Sequence, residues 1–138
     1  MKVDLEKYRA LNLKLTPQRI AIFEYLEGNK SHPSVYDVYK YVVKKFPSMS
    51  FATVYNTLNT LVRNGKLKEL SVDPDKKRFD PNTHPHHHLR CIKCSKIIDV
   101  ELDYNLDLPD NKFKDFEILG SEIEFYGLCN DCKNKIKQ

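Results

Sequence analysis

The chain has 138 residues, of which 41% are hydrophobic and 30% are charged, and its mean hydropathy is −0.58. This composition supports a buried core under a strongly polar surface, and the length suffices for one large domain or two small ones. No apolar run approaches the roughly 18 residues of a membrane span. The first residues offer no apolar signal-peptide core either. We therefore expect a cytoplasmic protein with no membrane partner, whose thiols stay reduced.

The net charge of +4 is unevenly distributed along the chain. Residues 1–84 carry 15 Lys and Arg against 9 Asp and Glu, whereas residues 85–138 carry 8 against 10. A basic front half joined to an acidic rear half fits a nucleic-acid-binding module attached to a second module. On charge alone an ordinary soluble helical domain explains the front half equally well.

The front half begins with helical patterns. A short helix is expected around residues 5–11. A second helix starts at Thr16, whose hydroxyl can cap free N–H groups, with Pro17 at the first helical position and Gly28 at the end. A third helix starts at the capping residue Ser34 and stops before Pro47. Its apolar positions recur at helical spacing.

A fourth helix starts three residues after Pro47, at Ser50, and runs to residue 62. Together with the third helix and the short turn between them it forms a helix-turn-helix outline. Its predicted buried side consists of Phe51, Val54, Leu58, Leu61 and Val62.

The opposite face of the fourth helix carries no charge, which is unusual for a solvated surface. Its residues are Ala52, Thr53, Asn56, Asn59 and Thr60. Such a face suits the major groove of DNA, where Asn can pair with adenine and Thr can contact a thymine methyl. A helix packed against a partner protein is the alternative.

Residues 66–72 and 77–80 alternate with period two around the turn 73–76, which predicts a β-hairpin. The basic residues Lys76, Lys77 and Arg78 lie at its tip and are available for phosphates. Helices followed by a basic-tipped hairpin predict a winged helix.

Four cysteines form two pairs, Cys91-x-x-Cys94 and Cys129-x-x-Cys132. Each pair can present both sulfurs to one ion, and two pairs complete a tetrahedron, so the spacing indicates a structural zinc site with no open position. Two disulfides or a redox dithiol are the alternatives. The expected reducing compartment argues against the first, and the lack of a thioredoxin-like context argues against the second.

Four of the five histidines lie just before the first cysteine pair. On a strand, His86 and His88 would share one face and His87 would take the other. Asp80 and Asp99 are possible oxygen ligands. A surface cluster of histidines is the alternative, and His32, far upstream, is as well explained as a loop or capping residue.

Taken together, these motifs resemble the ferric uptake regulator family of bacterial metal-dependent repressors over nearly the whole chain. The motifs that carry the resemblance are Leu15-Thr16-Pro17-Gln18-Arg19, His32-Pro33, Ser50-x-Ala52-Thr53-Val54-Tyr55, Arg78-Phe79-Asp80, His86-x-His88-x-x-Cys91-x-x-Cys94 and Tyr126-Gly127-x-Cys129-x-x-Cys132.

The resemblance implies two metals and a DNA surface. Matched by position, the family's regulatory Fe²⁺ or Mn²⁺ site falls on His32, Asp80, His86, His88 and Asp99, beside structural Zn²⁺ on Cys91, Cys94, Cys129 and Cys132. The family's recognition helix falls on residues 50–62. The implied DNA-binding residues, with the predicted wing tip, are Lys14, Ser50, Ala52, Thr53, Tyr55, Asn56, Asn59, Lys76 and Lys77.

Asp at both 80 and 99 resembles the peroxide-sensing branch, because iron-uptake regulators usually carry Glu there. In that branch, bound Fe²⁺ reacts with hydrogen peroxide and a ligating histidine is oxidised. The matching positions are His32 and His86. An iron-responsive regulator of iron uptake is the alternative. The family's additional metal site needs histidines where this chain has Pro85 and Ser121, so we expect that site to be absent.

The expected fold is α+β, with a winged-helix DNA-binding domain over residues 1–81 and an α/β dimerisation domain over residues 82–138. A short helix is expected near Pro109. The expected partners are double-stranded operator DNA and a second copy of the chain, through strands that carry Ile118, Ile123, Phe125 and Tyr126. We expect a regulator with no substrate other than peroxide as a signal. The rivals are a metal-dependent hydrolase on His86, His88 and Asp99, for which no general base is visible, and a zinc-ribbon interaction module.

Overall fold

The computed structural model describes residues 4–11, 13–103, 107–109 and 112–136. The chain divides into two compact units, residues 1–83 and residues 84–138. In the described part of the chain, no helix combines the length and the apolar character that crossing a membrane would require.

The first unit consists of helices followed by a two-stranded sheet. Its elements are α1 (Glu6–Arg9), α2 (Pro17–Leu26), α3 (Val35–Lys45), α4 (Phe51–Arg63), β1 (Lys68–Leu70) and β2 (Arg78–Asp80).

Each long helix starts where the sequence predicts it. The Thr16 hydroxyl accepts from the Arg19 amide at 3.2 Å, and the Ser50 hydroxyl accepts from the Thr53 amide at 3.1 Å. Ser34 forms a capping box: its hydroxyl accepts from the Asp37 amide at 3.2 Å, and the Asp37 carboxylate accepts from the Ser34 amide at 3.0 Å. These bonds satisfy N–H groups that have no partner inside the helix.

One apolar core joins the three long helices. It is centred on the fully buried Phe23, Val38, Val42, Val54 and Leu58. Residues three and four apart on each helix share the inner face, so their spacing dictates this packing.

The prediction that Phe51 lies on the buried side of α4 was wrong, because the Phe51 side chain is 46% exposed. Its ring meets the edge of the Tyr39 ring, with the centroids 5.7 Å apart. Phe51 is the first residue of α4 and lies at the margin of the core. Thr57 is buried instead, since its hydroxyl donates to the Thr53 carbonyl at 2.7 Å and needs no water.

The strands β1 and β2 pair antiparallel, with Lys68 opposite Asp80 and Leu70 opposite Arg78. The paired strands are shorter than the predicted hairpin, because residues 71–77 form the connection between them. Phe79 points into the helical core. The neighbouring residues of β2, Arg78 and Asp80, therefore face the other way.

The second unit contains a three-stranded sheet and a short helix. Its elements are β3 (His87–Cys91), β4 (Ile97–Val100), β5 (Glu124–Gly127) and α5 (Asn130–Ile136). The strand order is β4-β3-β5, where β3 pairs antiparallel with β4 and parallel with β5. The central strand β3 therefore carries histidines at its start and a cysteine at its end.

The segment before β5 has few internal contacts. Residues 112–123 form no helix or strand, and Phe116 and Leu119 are 71% and 89% exposed. The predicted strand position of Ile118 was wrong, since it lies in this segment and its side chain is 56% exposed. Ile123 directly precedes β5. Of the helix predicted near Pro109, residues 104–106 and 110–111 lie outside the described residues, while 107–109 and 112–116 are not helical.

Candidate metal centres and nucleic-acid surface

The four cysteines converge within the second unit. Cys91 ends β3 and Cys94 lies in the turn that follows. Cys129 directly precedes α5, and Cys132 lies in its first turn. All four sulfurs lie within 4.8 Å of one another, and those of Cys94 and Cys129 are 3.8 Å apart. A disulfide requires about 2.05 Å, so the cysteines are free thiols. Sulfurs at about 2.3 Å from one tetrahedral ion are about 3.8 Å apart, which is the observed spacing.

The protonation of the cluster also favours a cation. Backbone N–H groups, first that of Cys129 and then that of Cys94, lower the pKa of the Cys91 thiol to about 6. The hydrogen bond with Cys129, followed by burial, raises the pKa of Cys132 to about 12. At neutral pH the surroundings therefore favour the thiolate form of Cys91, whereas the neighbouring sulfurs and burial disfavour ionisation of Cys132. A divalent ion would remove that opposition, so the donor set fits Zn²⁺.

A second group of ligands lies at the other end of β3. The ring centroids of His86 and His88 are 4.5 Å apart. Their Nε2 atoms lie 3.1 Å and 3.4 Å from Oδ1 of Asp99, which is opposite His88 in the β3–β4 register. Neighbouring ligands of a six-coordinate ion with bonds near 2.1 Å are about 3 Å apart. His86, His88 and Asp99 are thus spaced as ligands of one small ion.

The tautomer of His86 supports this interpretation. Its Nδ1 lies 2.7 Å from the His84 carbonyl, which can only accept, so Nδ1 carries the proton. Nε2 then keeps its lone pair and faces the Asp99 carboxylate, which is also an acceptor. A positive charge between them, either a proton or a metal ion, is needed to hold them together. A carbonyl partner on Nδ1 is a common arrangement for metal-binding imidazoles.

The first unit contributes a separate pair of candidate ligands. Nε2 of His32 lies 3.5 Å from Oδ2 of Asp80, and both side chains are almost fully buried. Asp80 is the last residue of β2, and its other oxygen accepts from the Asn82 amide at 2.9 Å. His32 has a φ of 53°, which few non-glycine residues adopt. His32 is therefore a structured neighbour of Asp80 and not a helix-capping residue, a role that Ser34 fills.

The predicted DNA surface lies on the first unit. Ser50, Ala52, Tyr55 and Asn56 are exposed on α4, and Thr53, Asn59 and Thr60 are half-exposed. The Thr53 hydroxyl shares a hydrogen bond with the Ser50 hydroxyl, and the Thr60 hydroxyl donates to the Asn56 carbonyl. No lysine or glutamate interrupts this face, but at its carboxyl end the Arg63 guanidinium donates to the Thr60 hydroxyl at 3.3 Å. The face before Thr60 is therefore the part that suits contact with bases.

The basic residues predicted to contact DNA, Lys14 at the minor groove and the others at phosphates, differ in how they are held. Lys14 and Lys76 are exposed, and the Lys14 carbonyl accepts from Arg19 at 2.8 Å. Lys77 is exposed but its Nζ lies 3.1 Å from a Glu69 oxygen. Arg78, which the sequence offered for phosphates, is turned inward: its side chain is 11% exposed and pairs with Asp73 at 3.1 Å.

Two side chains make contacts that escaped the sequence reasoning. Arg78 donates to the backbone carbonyls of Ser31 and His32. His87, assigned to neither metal site, accepts from the Ile123 amide through Nδ1 at 2.7 Å. Strand alternation was the available signal, since it places Arg78 on the face of Asp80 and His87 away from its two neighbours.

Residues 10–126 match the sequence profile of the Ferric uptake regulator family. The chain therefore belongs to the ferric uptake regulator family. It is 37% identical to the "Peroxide-responsive repressor PerR" of Staphylococcus epidermidis over 98% of this chain and 91% of that protein. It is 33% identical to the protein of the same name from Staphylococcus aureus strain Mu50, over 98% and 93% of the two chains.

Solved structures agree with this membership. The chain is similar to the peroxide stress regulator of Campylobacter jejuni, with a TM-score of 0.65 and 29% identity over 96% of this chain and 100% of that one.

Proposed function

We propose that this protein is a metal-dependent transcriptional repressor that responds to peroxide. Its similarity to peroxide-responsive repressors over almost the whole chain supports this function. The observation that carries it is the placement of His88 on β3, and of His86 just before it, against Asp99, with the His86 ring oriented by the His84 carbonyl as metal ligands commonly are. Members of this family are regulators and not enzymes, so the hydrolase alternative is set aside.

The proposed regulatory site is one Fe²⁺ or Mn²⁺ ion bound by ligands from both units. Its residues are His32, Asp80, His86, His88 and Asp99. The second unit would supply two imidazoles and one carboxylate, a set that can hold such an ion but leaves coordination positions open. The imidazole and carboxylate of the first unit would fill two of those positions. Nitrogen and oxygen ligands without thiolate suit Fe²⁺ and Mn²⁺, which prefer five or six ligands. Binding would therefore restrict how the two units move.

The proposed second metal is a structural Zn²⁺ on Cys91, Cys94, Cys129 and Cys132. All four ligands come from one unit and no position is left for exchange. The two metals thus have separate roles: Zn²⁺ maintains the second unit, and the exchangeable ion regulates.

Peroxide sensing would use the imidazoles of the regulatory site. Fe²⁺ held by these residues would supply the redox chemistry that reduces hydrogen peroxide next to the imidazoles. In the net reaction, one oxygen atom of the peroxide would be added to a ligating ring, which is oxidised, and the other would leave as water. His32 and His86 are the proposed targets, because they match the positions that are oxidised in the peroxide-sensing branch of the family, and both side chains are buried. An oxidised ring binds metal poorly, so the ion is lost and repression ends.

The proposed DNA-binding domain spans residues 1–81, which lie within the first unit. It would act as a winged helix on double-stranded operator DNA in the cytoplasm. Helix α4 enters the major groove with Tyr55 and Asn56 nearest the bases. Ser50, Ala52, Thr53 and Asn59 line the same face, Lys14 reaches the minor groove, and Lys76 and Lys77 contact phosphates from the β1–β2 connection.

Residues 82–138 would form a homodimer. Phe116, Ile118, Leu119 and Tyr126 are all more than half exposed in the isolated chain, which is a large apolar surface for so small a unit. A second copy would bury this surface and present two α4 helices to a two-fold symmetric operator. Ile123 and Phe125 border the same segment.

The function is tested by the affinity for operator DNA, measured by fluorescence anisotropy with and without Mn²⁺. We expect Mn²⁺ to tighten binding in the wild type and to have no effect in His32→Ala, while zinc content stays constant. His84→Ala is the matched control, because it removes an imidazole that is not a proposed ligand and keeps the backbone carbonyl that contacts His86. Mn²⁺-dependent binding by His32→Ala would contradict the proposed site.

Peroxide sensing is tested by intact mass and peptide mapping after Fe²⁺ loading and hydrogen peroxide. We expect one oxygen atom on His32 or His86 and loss of DNA binding, with none added when Mn²⁺ replaces Fe²⁺. Oxidation confined to cysteines or methionines, together with iron-dependent repression, would favour the iron-uptake regulator instead.

A further inference from the structure

Arg78 makes more specific contacts than its position at the start of a short edge strand requires. Within the first unit, its guanidinium donates to the backbone carbonyl of His32 through Nε and to that of Ser31 at 3.3 Å. The same group donates to the Asp73 carboxylate at 3.1 Å. Three acceptors on two separate segments therefore converge on one planar donor.

Asp73 is built to receive this arginine. Its side chain is 1% exposed, and its other oxygen accepts from the Asp75 amide at 2.9 Å. Burial raises the pKa of Asp73, but the Asp75 amide and the Arg78 guanidinium outweigh burial and hold the pKa below 3.8. Asp73 is therefore ionised at neutral pH, and Arg78 is the counter-charge that makes its burial tolerable.

The segment that Arg78 holds is conformationally demanding. His32 has a φ of 53°, in the left-handed region that side chains with a Cβ rarely occupy. The next residue is also fixed to β2, because the Pro33 carbonyl accepts from the Phe79 amide at 2.8 Å. The strand that ends in Asp80 thus holds the backbone of His32 by two adjacent residues.

We propose that Arg78, with Asp73 as its partner, is a positioning residue that fixes the His32 backbone so that the imidazole meets Asp80. The inference rests on the proposed regulatory metal site and deepens it, since it names what sets the geometry of the two ligands in the first unit. Arg78 does not touch the ion. It acts by holding the backbone carbonyl of the ligand residue, whereas the usual partners of a metal-binding histidine hold its ring.

The planar guanidinium is essential to this role. Lysine would keep the charge opposite Asp73 but has a single nitrogen, which cannot reach the carboxylate and both carbonyls together. Replacement by lysine therefore separates the positioning role from simple charge balance.

The experiment compares Arg78→Lys and Arg78→Met with the wild type in the full-length, zinc-loaded protein. Mn²⁺ affinity is measured by electron paramagnetic resonance of the free ion, and the His32 ring is followed by ¹H–¹⁵N correlation in protein that carries no Mn²⁺. Arg9→Met is the matched control, because Arg9 is an exposed arginine of the same unit, paired with Glu6. Zinc content and the thermal midpoint report on folding.

We expect both Arg78 variants to bind Mn²⁺ about 10-fold to 100-fold more weakly. The His32 ring signal should move, while the signals of His86 and His88, the zinc content and Arg9→Met stay unchanged. If Arg78→Met does not fold, Arg78→Lys decides alone.

Wild-type Mn²⁺ affinity in Arg78→Lys, combined with loss of affinity in His32→Ala, would overturn the positioning role and leave the proposed function intact. Wild-type affinity in His32→Ala would overturn the regulatory site itself.

Discussion

The two proposed metal centres share the strand β3 but differ in where their ligands come from. At its carboxyl end, Cys91 joins three other cysteines of the same unit. At its start, His86 and His88 meet Asp99, while His32 and Asp80 form their own pair in the first unit. A closed set of soft ligands within one unit serves folding. Borderline ligands divided between two units allow binding of an ion to control a change of conformation.

The largest effect should follow loss of the cysteine cluster. We expect Cys91→Ser to lose zinc and to unfold the second unit, because structural zinc contributes on the order of 10 kcal/mol to small domains. Hydrogen exchange should show unprotected amides in β3–β5 and native protection in α2–α4. Ser95→Ala, next to the cluster, should keep its zinc. Retained protection of β3 in zinc-free Cys91→Ser would refute the folding role.

A smaller effect is expected at the other end of β3. His88→Ala should fold and keep its zinc, but Mn²⁺ should no longer change its affinity for the operator. In the wild type we expect Mn²⁺ to raise that affinity about 5-fold to 150-fold, the usual range for coupled binding sites. Operator binding without Mn²⁺ should match the wild type. Fluorescence anisotropy provides the measurement, and loss of zinc from His88→Ala would show that the two centres are not separate.

The DNA surface should respond independently of either metal centre. Asn56→Ala should lose about 1–3 kcal/mol of affinity for the operator but little for unrelated DNA, since an amide reads adenine directly. Lys76→Ala should weaken binding to the operator and to unrelated DNA equally. It should also reduce, by about 1, the slope of log affinity against log salt concentration. Titrations at several salt concentrations distinguish the two. Equal losses on both DNAs for Asn56→Ala would place it outside base recognition.

The smallest effect concerns the cap of α3, whose residues are not proposed metal ligands. Asp37→Ala should destabilise the first unit by about 1 kcal/mol at pH 7 through loss of the capping box. Burial raises the pKa of Asp37, but the Ser34 amide and hydroxyl outweigh burial and lower it below 3.8. The stability that the Asp37 carboxylate contributes is therefore complete above pH 3.8. It is lost as the pH falls through the pKa of Asp37 in the folded protein.

Thermal unfolding at pH 7 and at pH 3 tests this dependence. The difference between Asp37→Ala and the wild type should shrink in acid. Asp115→Ala, an exposed carboxylate of the second unit, should differ from the wild type at neither pH. A constant difference for Asp37→Ala would exclude its ionised form as the source.

Local signals in the sequence predicted much of the fold, and the contacts that were missed are long-range. Thr16, Ser34 and Ser50 could be identified as caps because each bonds an amide three residues away. By contrast, Arg78 reaches a carbonyl 46 positions away and His87 an amide 36 positions away. Spacing contains no information about such partners. The exposure of Phe51 was missed for a similar reason, since helical periodicity does not say where the core ends.

The candidate ligands divide in the same way. The spacing of the two cysteine pairs is sufficient to predict a tetrahedral metal site. His32 could not be assigned from its neighbours, and only the resemblance to a family connected it with Asp80. The structure brings these two residues together through β2, which ends at Asp80 and holds the His32 segment.

The most direct test of one shared regulatory ion is Mn²⁺ stoichiometry and affinity in single alanine variants of His32, Asp80, His86, His88 and Asp99. Electron paramagnetic resonance gives bound Mn²⁺, and atomic emission gives zinc on the same samples. We predict one Mn²⁺ per wild-type chain, weakened by every variant from either unit, with zinc unchanged throughout. Two Mn²⁺ per chain, or normal affinity after loss of His32 or Asp80, would contradict a single ion bound by both units.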